Sequence, residues 1–372
     1  MSATAVYLDY NATAPLRQAA VDAMVRALRT TGNPSSVHGF GRAARRLVED
    51  ARDSVAEMVG AVPAGVVFTS GGSEANALGL TGFGHRHILA SAVEHPSVLK
   101  AVDGVETVPV DRDGLIDLAA LEALLRAAEG PVMVAVMLAN NETGVLQPVA
   151  EVARIAHAYG ALVHCDAVQA AGKVDIDMHR LGVDTLALSA HKLGGPQGVG
   201  ALVLAAAEAE VIPLIKGGGQ ERRRRAGTEN VPGIAGFAAA GRLALAEMQD
   251  AAQRLGALRD RLEAEASRVA PHTVVFGAGV ERLPNTSCLA LPGLSAQTAV
   301  MAFDLAGVAV SAGSACSSGK VAASHVLAAM GAGALAGAAI RVSLGWDSVE
   351  ADVDRFIDVF TRVAGQRAAS AA

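Results

Sequence analysis

Lys192 stands directly after the apolar run TLALS, in SAHKLGGPQGVG, where a lysine is costly unless it is paired or reacted. Asp166 follows a second such run, ALVHC, with Gln169 one helical turn further on the same side. A third run, VVFTS, gives way to GGSEANAL, a glycine turn opening a helix, so the backbone N–H groups of Gly72 and Ser73 point at an anion. Taken singly, each has a plain reading: a surface lysine, an acid that caps a helix, an ordinary strand-to-helix turn. Together they offer a lysine for a Schiff base, an acid to keep a pyridine nitrogen protonated, and anchors for a phosphate. Those are the three things pyridoxal phosphate needs from a protein, and the residues alone reach a candidate pyridoxal-phosphate enzyme.

Cys316 is the other residue with chemistry to explain. It sits in SAGSACSSGK, among small residues that offer neither a core nor a second cysteine. The chain has three cysteines, widely spaced and without a CxxC, so neither a disulfide framework nor a structural zinc site is indicated. Cys165 and Cys288 lie in apolar, strand-like sequence and read as buried, inert thiols. Cys316 has the setting of an exposed, reactive one, and its small neighbours lower the steric cost of moving it. GSACSSGK is not a nucleotide-binding loop: five residues separate its glycines where four are required, and Val321 stands where a serine or threonine would hold magnesium.

These residues need a frame. Runs at 66–70, 87–91, 132–138, 161–165, 185–189 and 198–204 are of strand length, and helical patterns such as 117–129 and 149–160 alternate with them. That alternation predicts an α/β fold, a mostly parallel sheet with helices on both faces, and ligands bind such sheets at the carboxyl ends of the strands. From about residue 250 the texture changes to a long charged helix, short strands and a last helix after Trp346. We therefore expect a large domain over 15–250 and a smaller α+β domain built from 1–14 and 251–372.

The chain has 372 residues, 51% hydrophobic and 18% charged, with a net charge of -6 that disfavours a nucleic-acid binder. The run RRRR at 222–225 reads as the rim of a site entrance or a docking surface rather than a nucleic-acid patch. The uncharged stretch 321–340 is long enough to span a bilayer, but its glycines, serine and histidine among alanines predict a helix, a turn and a strand instead. The N-terminus carries Asp9 where a signal peptide needs an apolar stretch, so a cytoplasmic location is expected and no membrane partner.

The motifs resemble those of the cysteine desulfurases of the NifS and IscS type, in the class V aminotransferase superfamily. The resemblance rests on YLDYNATAP, NPSSVHGFGR, FTSGGSEAN, EHPSV, NNETG, DAVQAAGK, SAHKLGGPQGVG, GGGQERRRRAGTEN, SAGSACSS, SHVLAAMG and RVSLG, spread nearly end to end. It implies the fold type I of pyridoxal-phosphate-dependent transferases. Lys192 resembles the Schiff-base lysine, Asp166 the partner of the pyridine nitrogen, Gln169 a donor to the ring's phenolic oxygen and His95 the residue stacked on its face. Gly72, Ser73, Ser189 and His191 are similar to the phosphate holders, and Thr228 to a threonine that reaches the neighbouring site of a homodimer. Asn141 and Arg341 match the pair that positions the substrate, with Arg341 suited to an α-carboxylate.

The implied reaction turns L-cysteine into L-alanine and leaves a persulfide on Cys316. His95 would move protons on the substrate thiol. The sulfur would pass to an acceptor such as an iron-sulfur scaffold, with Cys316 as a transient ligand of the cluster, to nitrogenase assembly or to tRNA thiolation. An aminotransferase or a selenocysteine lyase of the same class is the alternative. One departure is Ala14, which replaces a threonine in the family's ATTP.

Overall fold

The run VMVAVM is apolar on both faces, and all six residues are buried. A strand covered on both faces belongs inside a parallel sheet packed by helices. The computed structural model describes residues 5–84, 87–313 and 323–371 and places this strand in a seven-stranded sheet. Along the chain, β1 is Val6–Tyr7, and the large sheet uses β2 (Val66–Thr69), β3 (His87–Ser91), β4 (Glu106–Val108), β5 (Val132–Met137), β6 (Leu162–Asp166), β7 (Thr185–Ser189) and β8 (Gly200–Leu204). Their order is β2-β8-β7-β6-β5-β3-β4, and β8 alone runs against its neighbours. The carboxyl ends of the other strands therefore open on one edge.

Helices α1 (Gln18–Leu28) and α2 (Gly39–Met58) precede the sheet, and α3 (Gly72–Thr81), α4 (Pro96–Leu99), α5 (Leu118–Ala127), α6 (Val149–Ala158) and α7 (Met178–Leu181) lie in the connections between strands. Helix α8, Val231–Val269, is unbroken over 39 residues, roughly 58 Å at the standard rise. The Asn230 side chain caps its start by accepting from Gly233 N. Residue 250, where the composition changes, lies within this helix. Its first half buries Ile234, Phe237 and Ala240 in the core beneath the large sheet; its second half buries Leu255, Leu258 and Leu262 in another core with Phe303, Phe356 and Phe360.

That second core belongs to β9 (Val274–Val275), β10 (Thr286–Ala290), α9 (Ala296–Leu305), β11 (Val308–Ala309), β12 (Ser311–Ala312), α10 (His325–Ala329), β13 (Ala339–Ser343) and α11 (Glu350–Ala371). The strands β12-β13-β10-β9 form an antiparallel sheet. The N-terminal segment joins this half: β1 pairs with β11, and Asp9 bridges to Ser343. Within 321–340, the described residues form α10, a turn and the start of β13, as the composition predicts. Among the described residues no helix is long and apolar enough to cross a membrane.

The arginine run has a structural use. Glu221, Arg222 and Arg223 all have positive φ, a conformation that costs non-glycine residues about 1–3 kcal/mol each. The buried Glu221 carboxylate accepts from both terminal nitrogens of Arg52, at 2.8 and 2.9 Å, and from Phe68 N at 2.9 Å. Arg222 and Arg224 both donate to Ala64 O, and Arg225 pairs with Glu74 at 2.9 Å. Three of the four arginines are thus occupied inside the molecule, while Arg223 is exposed. Glu221→Ala strands the buried Arg52 cation and frees the strained turn. It should cost about 3–5 kcal/mol of stability in a denaturant titration.

Candidate active site

Asp166 is the last residue of β6, in register with Met137 on one side and Ala187 on the other. A turn and not a helix follows, so there is no helix for it to cap; Oδ1 accepts from Val168 N at 2.9 Å within that turn. Oδ2 accepts from Asn76 Nδ2, on α3, at 2.7 Å. The same Asn76 nitrogen donates to Ser97 Oγ at 2.8 Å, so both amide hydrogens are committed and Asn76 Oδ1 must accept. Its donor is His164 Nε2 at 3.0 Å, which leaves His164 Nδ1 to accept from Thr185 Oγ1 at 2.8 Å. Burial holds His164 neutral, with a pKa of about 3.

Ser97 extends this chain to His95. Both Ser97 N and Ser97 Oγ lie on His95 Nδ1, at 3.1 and 2.8 Å, so Nδ1 accepts and the neutral ring carries its proton on Nε2. Desolvation, with the charges of Lys192 and His325, holds His95 below the usual histidine pKa, against the opposing pull of Asp166. The imidazole itself is exposed.

Lys192 ends the short turn Ala190–Lys192 that follows β7. Its Nζ donates to Asn11 O at 2.5 Å and Ala12 O at 2.9 Å. Burial and the charge of Arg341 lower its pKa to about 8, opposed by Asp166 and Asp9. Asn11 O also accepts from Gln169 Nε2 at 2.9 Å, which brings Gln169 to the same carbonyl. The neutral amine is the nucleophile toward an aldehyde. The apoprotein's capture of pyridoxal phosphate, followed by visible absorbance, should therefore rise with pH around a midpoint of about 8. A midpoint near the ordinary lysine value would show that burial does not tune the amine.

Beside Lys192 lies a cavity of about 450 Å³ lined by Gly72, Ser73, Ser189, His191, Thr13 and Ser70, among others. Gly72 opens α3 there, and a Cβ on it would come within 2.7 Å of Val168 Cγ2, so only glycine lets the helix start this close to the strand ends. His191 Nδ1 lies 3.2 Å from Thr13 Oγ1, and burial together with Lys192 lowers its pKa to about 4. Ala14, where the family has threonine, is buried, and the hydroxyl that meets His191 is that of Thr13. Thr228 is exposed and outside this lining.

Arg341, on β13, faces the site from the other half of the molecule. It donates to Asn141 O at 3.0 Å and to Asp9 Oδ1 at 2.7 Å. Its Nε is buried and has no partner among the described residues. Cys165 and Cys288 are fully buried, and desolvation raises both thiols, as inert cysteines require. Cys316, with any metal role for it, lies outside the described residues.

Sequence reasoning gave no role to Asn11, Asn76, Lys173, Glu94 or Asp9, although each lies within one of the motifs quoted above. Glu94 is fully buried at the end of the β3 turn. Its Oε1 accepts from Met137 N at 2.6 Å, and Oε2 has no partner among the described residues. Burial, and then the nearby Asp166, push its pKa well above the ordinary carboxylate range. A raised folded pKa means stability that is present below the unfolded value and lost as pH rises through the folded one. Glu94→Gln removes that loss, so the variant's Tm relative to the parent should improve between pH 5 and pH 8.

A family profile described as aminotransferase class-V matches residues 6–356. The chain belongs to this family, in its cysteine desulfurase branch. It is 40% identical to the cysteine desulfurase IscS of Dictyoglomus turgidum, covering 96% of this chain and 94% of that one. It is 43% identical to a cysteine desulfurase of Cereibacter sphaeroides, over 97% and 96%. The crystal structure of a NifS-like protein from Rickettsia africae superposes with a TM-score of 0.91 at 34% identity, over 97% of this chain and 99% of that one.

Pyridoxal 5'-phosphate is the cofactor of this family, and the residues present fit it. A glycine cradle with exposed hydroxyls borders the cavity, and an amine of lowered pKa stands beside it. Within electrostatic reach of that amine are a carboxylate fixed by two donors and a guanidinium whose Nε has no partner among the described residues.

Proposed function

We propose that this desulfurase removes sulfur from L-cysteine by the following division of labour. Lys192 holds the cofactor and Asp166 faces its pyridine nitrogen, while Gln169 donates to its phenolic oxygen and His95 covers its face. Gly72, Ser73, Ser189 and His191 hold the phosphate. When bound, pyridoxal phosphate supplies an aldehyde for an amine and an electron sink for a carbanion at the substrate's α carbon.

The observation that carries the substrate assignment is Arg341, a buried guanidinium whose Nε has no partner among the described residues, beside the Asn141 loop. An α-carboxylate completes it with charge-assisted hydrogen bonds. The substrate's α carbon then lies toward Lys192, whose neutral amine takes the α proton and returns it. His95, neutral with its proton on Nε2, can deliver that proton at the substrate thiol and take one back at the same nitrogen. The Cys316 thiolate attacks the substrate sulfur: an S–S bond forms, and the Cβ–S bond breaks with its electron pair leaving toward carbon. Protonation of that carbon fragment gives L-alanine, and the sulfur stays on Cys316 as a persulfide.

Two described residues support Cys316 in this role. Gly313 and Ser324 flank the stretch 314–322, and both lie against Glu142, next to Asn141. Ser324 Oγ donates to Glu142 Oε2 at 2.5 Å, and a Cβ on Gly313 would come within 2.4 Å of the same oxygen. The chain thus leaves and re-enters at the substrate side of the site.

The protein works as a homodimer, with Thr228 reaching the neighbour's phosphate. The exposed apolar residues Val25, Leu28, Val37 and Phe40, on α1 and leading into α2, support such an interface. Sulfur passes to an acceptor protein such as an iron-sulfur scaffold. A mechanism that depends on a free thiol suits the reducing cytoplasm.

Lys192→Ala should lose both the cofactor's visible absorbance and alanine formation from cysteine in the absence of any keto acid. Cys316→Ser should keep the absorbance and lose the persulfide. Wild-type sulfide release by Cys316→Ser would overturn the nucleophile assignment.

A further inference from the structure

Lys173 ends the motif DAVQAAGK and takes no part in the chemistry above. Its Nζ donates to two side-chain amide oxygens, Asn11 Oδ1 at 3.0 Å and Gln169 Oε1 at 3.1 Å. An ammonium has hydrogens to give and no lone pair to offer. The end of the Gln169 side chain that faces it must therefore be the oxygen, and the NH2 end must point the other way. That end donates one hydrogen to Asn11 O at 2.9 Å, and the second has no acceptor among the described residues. The same ammonium fixes Asn11: with Oδ1 held by Lys173 and by Asn285 Nδ2 at 3.2 Å, Asn11 Nδ2 is turned to Thr286 Oγ1 at 2.9 Å. The two ends of an amide have nearly the same shape, so packing alone does not choose between them.

We propose that Lys173 is a positioning residue that sets the amide orientation of Gln169, so that a hydrogen-bond donor and not an acceptor is turned toward the cofactor. The proposal rests on the reading of Gln169 as the donor to the phenolic oxygen. Burial, with the charges of Lys192 and Arg341, lowers the Lys173 pKa to about 7. The neutral amine still has two N–H groups, one for each amide oxygen, so both contacts persist in either state. The charged groups that share this pocket are Lys192, Arg341, Asp166 and Asp9.

The test is the pH titration of the bound cofactor's visible absorbance in the holoenzyme. A phenolic oxygen that loses a donor becomes more basic, so Gln169→Ala should move the midpoint upward. Lys173→Met, close in volume and without a donor, should move it the same way, by about half a unit or more in each case. The double variant should move no further than Gln169→Ala alone, because both changes remove one hydrogen bond. If Lys173→Met does not retain cofactor, Lys173→Leu, which also lacks a donor, is measured in its place against the same double-variant criterion. A shift in Gln169→Ala with none in Lys173→Met overturns the proposal and spares the reading of Gln169. Additive shifts also overturn it, since Lys173 would then act as a bare charge. No shift in Gln169→Ala sinks the reading of Gln169 and the proposal together.

Discussion

The site is organised around one buried asparagine. Asn11 has no solvent exposure, and every polar group it carries is engaged. Its carbonyl accepts from Lys192 and Gln169, its Oδ1 from Lys173 and Asn285, its Nδ2 donates to Thr286 Oγ1 and Asn141 O, and its N–H donates to Ser343 Oγ. Lys192, Gln169, Lys173 and Asn141 come from the half built on the large sheet; Asn285, Thr286 and Ser343 come from the half built on the small one. A residue of the N-terminal segment is thus the joint at which both halves meet the reactive lysine. A neutral amide suits this task because it accepts and donates at fixed angles without placing another charge beside three cations.

The rest of the arrangement follows from strand direction. Because the strands around β6 are parallel, the residues that follow β3, β5, β6 and β7 arrive at one edge without long loops to bring them there. The sequence Thr185, His164, Asn76, Ser97, His95 runs from the sheet interior to the exposed imidazole, with the donor direction settled at every step by Asn76. Orientation at the surface is therefore inherited from the core, where no water is available to offer an alternative partner.

This division explains what the sequence disclosed. Asp166, Lys192, Gly72 and Ser73 were legible because each follows an apolar run, and a fully buried parallel strand has one functional end. The β strands themselves fall within a residue or two of the apolar runs, whereas β4, short and largely exposed, has no pattern strong enough to mark it. Asn11, Asn76 and Lys173 were not legible as site residues. Asn76 meets Asp166 from 90 positions away, Asn11 meets Thr286 from 275 and Lys173 meets Asn11 from 162; Lys173 also lies four residues from Gln169, but within a turn, where no helical periodicity marks the pair. The unbroken α8 hides the division between the halves for a related reason. Composition changes where the helix moves from one core to the other, while the backbone does not.

Two carboxyl groups near the ring side of the site show how burial and donor count assign charge. Asp166 has a donor on each oxygen, Asn76 on one and Val168 N on the other. Glu94 has Met137 N on one oxygen and no donor among the described residues on the other, in a fully buried position. Two buried carboxylates this close would repel, so the proton goes to the one with fewer donors, and Glu94 is held in its acid form. The consequence reaches the chemistry. With Glu94 neutral, it adds no negative charge beside Asp166, whose two hydrogen bonds leave it little freedom to turn away. An ionised Glu94 would add a second negative charge near Asp166 and would raise the Lys192 pKa, leaving less of that amine neutral near pH 8. The Glu94 oxygen that has no donor among the described residues thus favours the acid form, and so spares the site a second charge near an amine whose pKa burial and Arg341 lower to about 8.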